Sequence, residues 1–247
     1  MNDDGAMLTN VRIVLVETSH PGNIGAAARA MKTMGLRSLW LVRPAQFPHA
    51  DATARASGAD DVLAEARVCA SLAEALVECR LVAGASARQR RLAWPEAAPR
   101  EAAPRLLDEA GAGPVALVFG RESSGLTNDE LAHCHLLVHI PADPDYSSLN
   151  LAAAVQVLSY ELALAARPGT HSAAGPGVDQ PVPADAEQMA RFYAHLERVL
   201  IELEFLDPKH PKHLMRRLKR LFNRARPDET EMNVLRGILT AVQRHRS

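Results

Sequence analysis

The chain of 247 residues carries 28 Lys+Arg against 29 Asp+Glu, a formal net charge of −1, with 47% hydrophobic and 23% charged residues. That length holds one sizeable core and a small appendage, and the composition excludes a disordered or fibrous chain. The acidic start, Met-Asn-Asp-Asp-Gly, is unlike a secretory signal, and the longest apolar stretch (149–166) is broken by Asn150, Gln156, Ser159 and Glu161, so a cytoplasmic protein without a membrane span is expected.

In chain order, Val11–Val16 reads as a strand and residues 25–34 as an Ala-rich helix that stops at Gly35. Ser38–Val42 is a second strand, closed by Pro44. Further β-like runs lie at 81–83, Val115–Phe119 and 136–140, with helical patterns at 71–78, 100–110, 128–133 and 148–166. Several of these strands are apolar on both faces, as a central parallel sheet covered by helices requires. Residues 1–166 are therefore expected to form an α/β domain. The Pro- and Gly-rich residues 167–184 read as a flexible linker. From 185 to 247 the pattern is helical: Met189, Phe192, Leu196, Val199, Leu200 and Leu203 follow a 3.6-residue period, and Asp228 with Glu231 has capping-box spacing. So few helices make a weak core alone, so they are expected to pack on the main domain or on a second subunit.

The near-zero net charge hides an asymmetry. From residue 185 onward there are 13 Lys+Arg against 9 Asp+Glu, which leaves 15 against 20 before it. Residues 209–226 alone hold eight Lys+Arg, two His and no acidic residue. A clustered basic segment fits a phosphate backbone, although a solvated helix face has the same signature.

Several chemistries can be set aside. The first strand is followed by Ser19-His-Pro-Gly-Asn-Ile-Gly25 rather than GxGxxG, and no Walker loop occurs, so a nucleotide-dependent oxidoreductase or NTPase is not supported. Neither Ser123 nor Ser124 sits in a GxSxG elbow. His133, His135 and His139 are close in sequence but belong to no matching carboxylate or cysteine pattern, so no metal site is expected. Cys69, Cys79 and Cys134 have no CxxC spacing and read as reduced, buried thiols.

Three segments remain, each just past a strand end, where open α/β sheets place their sites. Thr18-Ser-His-Pro-Gly-Asn-Ile-Gly-Ala-Ala-Ala-Arg29 shapes a turn into a helix, with Arg29 about one turn in and able to join an anion site at its start. Val115-Ala-Leu-Val-Phe-Gly-Arg-Glu-Ser-Ser-Gly-Leu126 runs a buried strand into a glycine turn. There Gly120 lets backbone approach a ligand, and Glu122 either contacts that ligand or accepts backbone N–H bonds to hold the loop. In Ile140-Pro-Ala-Asp-Pro-Asp-Tyr-Ser-Ser-Leu-Asn150, Ser147 or Ser148 is the natural N-cap and Asn150 presents an amide in the first turn.

Taken together, Gly-Asn-Ile-Gly with Arg29, Phe-Gly-x-Glu-x-x-Gly-Leu, and Ser-Leu-Asn before an Ala-rich helix resemble the three motifs of the SpoU/TrmH branch of the SPOUT methyltransferases, from about Val11 to Ala166. Pro144-Asp-Tyr146 stands where that branch usually has glycine. Together with VETSHPGNIGAAARAMKTMGL and ASARQRRLAWP, it draws the resemblance to the members that methylate the ribose 2′-hydroxyl of C or U at position 32 of the tRNA anticodon loop.

The resemblance implies a parallel sheet with a C-terminal trefoil knot, a homodimer whose site uses both subunits, and S-adenosylmethionine as methyl donor. It places the cofactor against Ala85, Ser86, Ala87, Gly120, Arg121, Ile140, Ser147, Ser148, Leu149 and Asn150. Proton removal falls to Arg29, with Asn23 fixing the ribose or its loop and Ser148 positioning the donor. Because a guanidinium is a poor base, the residue chemistry favours Arg29 orienting an RNA phosphate while phosphate or water takes the proton. Arg88, Arg90, Arg91 and Trp94 put charge and a stacking ring on one loop, as single-stranded RNA recognition requires. Ribosomal RNA or another tRNA position is the alternative acceptor, and a non-catalytic RNA binder is a third reading that the intact motifs disfavour.

Overall fold

The fold is seen in a computed structural model that describes residues 7–87, 94–167 and 183–246. Seven strands form one sheet among these residues: β1 (Val11–Val16), β2 (Ser38–Val42), β3 (Arg67–Cys69), β4 (Leu81–Ala85), β5 (Glu96–Ala97), β6 (Val115–Phe119) and β7 (Leu136–Val138). Their order is β3-β2-β1-β6-β4-β7-β5 and every pairing is parallel. Crossovers run through α1 (Pro21–Thr33), α2 (Ala50–Ala56), α3 (Asp60–Ala64), α4 (Leu72–Ala75), α5 (Pro99–Ala110) and α6 (Asn128–Leu131), and α7 (Leu151–Ala165) follows the last strand. The α/β reading of the sequence holds. Short elements that carry no readable period, α2, α3, β3 and the two-residue β5, went unrecognised in it, and the patterns at 71–78 and 128–133 shorten to single turns.

The sheet is buried on both faces because its strands alternate between two cores. Val11, Ile13 and Leu15 of β1 join Leu117 and Phe119 of β6 on the side of α1, α5 and α7. Val14, Val16, Ala116 and Val118 face the opposite core with Trp40, Cys69, Cys79 and Cys134. Each fully buried aliphatic side chain contributes about 1.5–3 kcal/mol relative to leaving it in water. Arg12 is the exception on β1. It lies under the second core, its guanidinium donates to the Ala75 and Val77 carbonyls at 3.0 and 2.8 Å, and it stacks 4.4 Å from the Trp40 ring centroid.

Helix α1 begins four residues earlier than its periodic pattern suggests. His20 Nδ1 accepts the Gly22 amide at 3.0 Å, Pro21 occupies the first helical position, and Gly35 ends the turn at φ +81°. Arg29 is consequently the ninth residue of the helix rather than one turn in, about 9 Å along the axis from Asn23. Helix α7 is corrected in the other direction. Its cap is Asn150, whose Oδ1 accepts the Ala152 amide at 2.9 Å, so Ser147 and Ser148 lie ahead of the helix and are free to line a cleft.

The C-terminal helices α8 (Ala186–Glu202), α9 (Leu214–Ala225) and α10 (Glu229–Arg246) share a small core of Met189, Phe192, Tyr193, Leu196 and Met232. The capping box at Asp228 and Glu231 forms in both directions. The bundle docks on the α/β domain through buried Asn223, whose amide donates to the Ala132 and Cys134 carbonyls at 3.0 and 3.2 Å and whose oxygen accepts the Tyr193 hydroxyl. Arg226 pairs with Glu109 at 2.7 Å and Arg216 with Asp129 at 3.1 Å.

One contact in α1 tests the packing directly. A Cβ on Gly25 would lie 1.9 Å from the Ala52 carbonyl oxygen, so α1 and α2 approach only because that side chain is absent. Gly25→Ala is expected to force the helices apart and cost about 1–3 kcal/mol, read as a lower urea midpoint; an unchanged midpoint would mean the helices are not in this contact.

Candidate active site

The C-terminal ends of β4, β6 and β7 open onto one cleft with about 780 Å³ of empty space, part of it continuous with solvent. Its walls are Ala85, Ser86 and Ala87 after β4, Phe119 to Gly125 after β6, and Val138, Ile140, Ser147, Ser148 and Leu149 after β7, closed by Leu151 and Ala154 of α7. Nine of the ten residues expected around the cofactor therefore line a single cavity. Asn150, the tenth, caps α7 beside it and donates from Nδ2 to Asn23 Oδ1 at 3.1 Å.

Glu122 fastens the three segments together. Its carboxylate accepts from the Ser19 amide (3.1 Å) and hydroxyl (3.0 Å), the His20 amide (3.3 Å) and Asn23 Nδ2 (3.0 Å). Burial pushes its pKa up, but the bonds from Asn23, Ser19 and His20 outweigh this and hold it below the ordinary carboxylate value. Of the two roles open to Glu122, loop-holding is the one its contacts show. Asn23 passes the tie on to Asn150, so motifs 99 and 127 residues apart share one hydrogen-bonded chain.

Arg121 faces the other way. Its Nε donates to Glu17 at 2.6 Å and its two terminal nitrogens form a fork to Glu130 at 3.0 Å each. Glu130 also accepts the Thr127 amide at 2.7 Å, so a capping box and a bidentate ion pair share one carboxylate. Burial again raises the Glu130 pKa, and Arg121 with the Thr127 amide brings it below normal; Glu17 is lowered chiefly by Arg121. The sequence reading missed Glu130, because nothing local in the sequence points it at Arg121. Gly120 is likewise needed by the protein itself: a Cβ there would sit 2.1 Å from the Gly125 carbonyl carbon, because the loop closes back through mutual Arg121 and Gly125 backbone bonds.

Two expectations change. Trp94 is 7% exposed, packed in the second core with its indole N–H donating to the Cys134 carbonyl at 3.2 Å, so it anchors the entry to β5 and presents no stacking face. Burial of a large ring with its one polar atom satisfied outweighs surface display. Arg29 is exposed, does not line the cleft of its own chain, and among the described residues has no ion-pair or hydrogen-bond partner. Arg88, Arg90 and Arg91 lie outside the described residues. Among the described residues, no His/Cys/Asp/Glu group is arranged to hold a metal and no helix is long and apolar enough to cross a membrane.

The cleft chemistry suits a nucleoside-containing cofactor. Phe119, Val138, Ile140, Leu149 and Leu151 give apolar walls, Ala85, Ala87 and Ala154 leave room, and Ser86, Ser147 and Ser148 bring hydroxyls. Comparison with known proteins gives the class. The family described as "SpoU rRNA Methylase family" matches residues 10–160, and "tRNA methyltransferase TrmJ, C-terminal domain" matches residues 187–247. The tRNA (cytidine/uridine/adenosine-2′-O-)-methyltransferase TrmJ of Pseudomonas aeruginosa is 54% identical over 245 residues, covering 96% of this chain and 95% of its own. The tRNA (cytidine/uridine-2′-O-)-methyltransferase TrmJ of Cronobacter sakazakii is 51% identical, with 98% and 99% covered. The crystal structure of TrmJ from Z. mobilis ZM4 superposes with a TM-score of 0.82 at 34% identity, covering 94% of this chain and 98% of that one. The chain thus belongs to the SpoU methylase family and, matched along nearly its whole length, to the TrmJ group within it.

The clasp predicts a pH dependence. Since the folded-state pKa values of Glu122, Glu130 and Glu17 lie below the ordinary 4.5, their contribution to stability is complete above that value and is lost as pH falls through the folded values. Glu122→Gln turns one acceptor into a donor facing donors. Urea midpoints followed down from about pH 6 are expected to fall less steeply in the variant; identical slopes would show that Glu122 is not held as described.

Proposed function

We propose that this chain methylates the ribose 2′-hydroxyl of nucleotide 32, C or U, in the anticodon loop of tRNA, as a cytoplasmic homodimer that requires no metal. The chemistry is that of its family: it is an RNA 2′-O-methyltransferase that uses S-adenosylmethionine. The observation that carries the reading is the meeting of the three motif segments at one cleft, tied through Glu122, Asn23 and Asn150. The tRNA acceptor is supported by the match over residues 187–247 and by the names of the full-length relatives. Ribosomal RNA, or another tRNA position, is the second reading, favoured only by the wording of the broader family.

In this reading residues 1–166 form the methyltransferase domain, 167–184 a linker and 185–247 a helical extension. A C-terminal trefoil knot is supported by β7 lying between β4 and β5, with the chain after it running past the 120–125 loop into α7. Ala85, Ser86, Ala87, Gly120, Ile140, Ser147, Ser148 and Leu149 hold the cofactor, which supplies an electrophilic methyl group on sulfur. Ser148 orients it, Arg121 keeps the wall in place through Glu17 and Glu130, and Asn23 holds the ribose-side loop. Arg29 does not line its own chain's cleft, which supports a site completed across a dimer by the second subunit's arginine. There the guanidinium orients an RNA phosphate and stabilises negative charge growing on the 2′-oxygen, and phosphate or water removes the proton. Alignment of nucleophile and donor contributes about 7–11 kcal/mol of the acceleration. Arg88, Arg90 and Arg91 contact the loop bases or backbone. Exposed Arg217 and Arg224, with half-buried Arg220 between them on α9, give a second basic surface, whereas Arg216 and Arg226 dock the helix.

Methyl transfer from labelled S-adenosylmethionine to unmodified tRNA is expected at ribose 32 and to be lost in Arg29→Ala, with Arg29→Lys keeping a measurable fraction. Labelling of ribosomal RNA but not tRNA would move the assignment to the second reading. Complete loss in Arg29→Lys with normal tRNA binding would assign proton removal to the arginine itself.

A further inference from the structure

Next to the cofactor cleft, two side chains that the mechanism does not use lie over the first turn of α1. His20 is exposed, and because its Nδ1 accepts the Gly22 amide at 3.0 Å, the neutral ring carries its proton on Nε2 and presents it as a donor away from the backbone. Arg55 reaches the same spot from α2. A Cβ built on Gly22 would lie 3.0 Å from His20 Cε1 and Nδ1 and 3.5 Å from Arg55 Cγ, so the bare glycine seats the imidazole and the arginine stem side by side.

Neither group is neutralised by a carboxylate. Arg55 is exposed and, among the described residues, has no hydrogen-bond or ion-pair partner. Asp51, one turn earlier on α2, is turned towards His49 at 3.7 Å. Glu122, which binds the His20 amide, shares its charge among Ser19, His20 and Asn23. The helix start itself offers little: Pro21 has no N–H, the Gly22 amide is held by His20 Nδ1, and the Asn23 amide by the His20 carbonyl at 3.0 Å. The free donors here are side chains.

We infer that His20 and Arg55 together bind one phosphodiester of the RNA strand carrying the target ribose, at the lip of the cofactor cleft. A guanidinium fork and a fixed imidazole N–H match two phosphate oxygens, and such contacts set the register of a strand without reading its bases. The loop that carries His20 is the one fastened to Glu122, so a phosphate held there is positioned against the cleft wall. The inference rests on the proposed RNA substrate and adds a contact on the chain's own α1 and α2, apart from Arg29 and from the basic α9.

The test compares full-length wild type, Arg55→Gln, Arg55→Lys and His20→Asn, the last because Asn keeps an N-cap acceptor and removes the outward donor. Binding of unmodified tRNA is measured across a salt series, alongside steady-state methylation and S-adenosylmethionine affinity. Arg55→Gln is expected to weaken tRNA binding about tenfold and to lower the log–log salt slope by about 0.7, while Arg55→Lys restores the slope. In both Arg55→Gln and His20→Asn the KM for tRNA rises more than kcat falls, and cofactor affinity is retained. Wild-type salt slope and tRNA affinity in Arg55→Gln and His20→Asn would overturn the inference, as would a lost cofactor affinity with unchanged slope, which marks a purely structural role. In those cases wild-type methylation of tRNA leaves the proposed function standing; a wild type that neither binds nor methylates tRNA overturns both.

Discussion

The cleft depends on one carboxylate, Glu122, that ties separate loops together. Loops at the C-terminal edge of a parallel sheet have left the ladder, so no strand pairing fixes one against the next. Glu122 supplies the missing tie by accepting four hydrogen bonds from Ser19, His20 and Asn23, and Asn23 hands the connection to Asn150. A charged acceptor is suited to this because each of its bonds is charge-assisted, and its depressed pKa keeps it ionised at neutral pH. The same contact positions the start of α1, the wall after β6 and the cap of α7, so the three segments around the cleft are fixed relative to one another before any ligand arrives.

Its neighbour in sequence works in the opposite direction. Arg121 locks the β6 loop to Glu17 at the end of β1 and to Glu130 at the end of α6, and α6 leads into the Ala132–Cys134 carbonyls that hold Asn223 of the helical extension. Gly120, Arg121 and Glu122 therefore each satisfy the protein's own backbone and charges. What is left facing the cleft is apolar surface and hydroxyls with no uncompensated charge, which is the lining a cationic nucleoside cofactor can enter without displacing an ion pair.

How much of this was legible depended on whether the determining contact was local. Strands β1, β2 and β6 could be read because each is a predominantly apolar run, and the capping box at Asp228 because both partners lie within one turn. The motif residues could be placed around a cofactor by resemblance, and nine of them do share a cleft. The errors have one local cause and several non-local ones. Pro21 and Gly22 look like turn residues, yet a proline at the first helical position starts α1 early and carries Arg29 away from the helix start. Trp94 beside arginines reads as an RNA platform, but an acceptor 40 residues away, the Cys134 carbonyl, draws its indole inward. Gly120 reads as a ligand-approach glycine, yet like Gly25 it is demanded by backbone: the Gly125–Leu126 peptide for Gly120, the Ala52 carbonyl for Gly25.

With a net charge of −1 the molecule as a whole gains nothing from a polyanion, so RNA binding has to be local. Helix α9 shows how one segment divides its cations: Arg216 pairs with Asp129, Lys219 lies over the Tyr193 ring, and Arg226 pairs with Glu109, while Arg217, Arg220 and Arg224 remain outward around one cleft. Arg216 and the left-handed C-cap residue Arg226 attach the extension to α6 and α5, while the outward group stays available. Helix α1 makes the same division on a smaller scale. Its glycine face admits α2, its Asn23 is tied to Glu122, and Arg29 is left exposed beyond its own chain's cleft. An unpaired arginine on so constrained a helix gains nothing for the isolated chain, and it is this lack of an internal partner that the proposed role at an RNA phosphate, in a site completed by a second subunit, would account for.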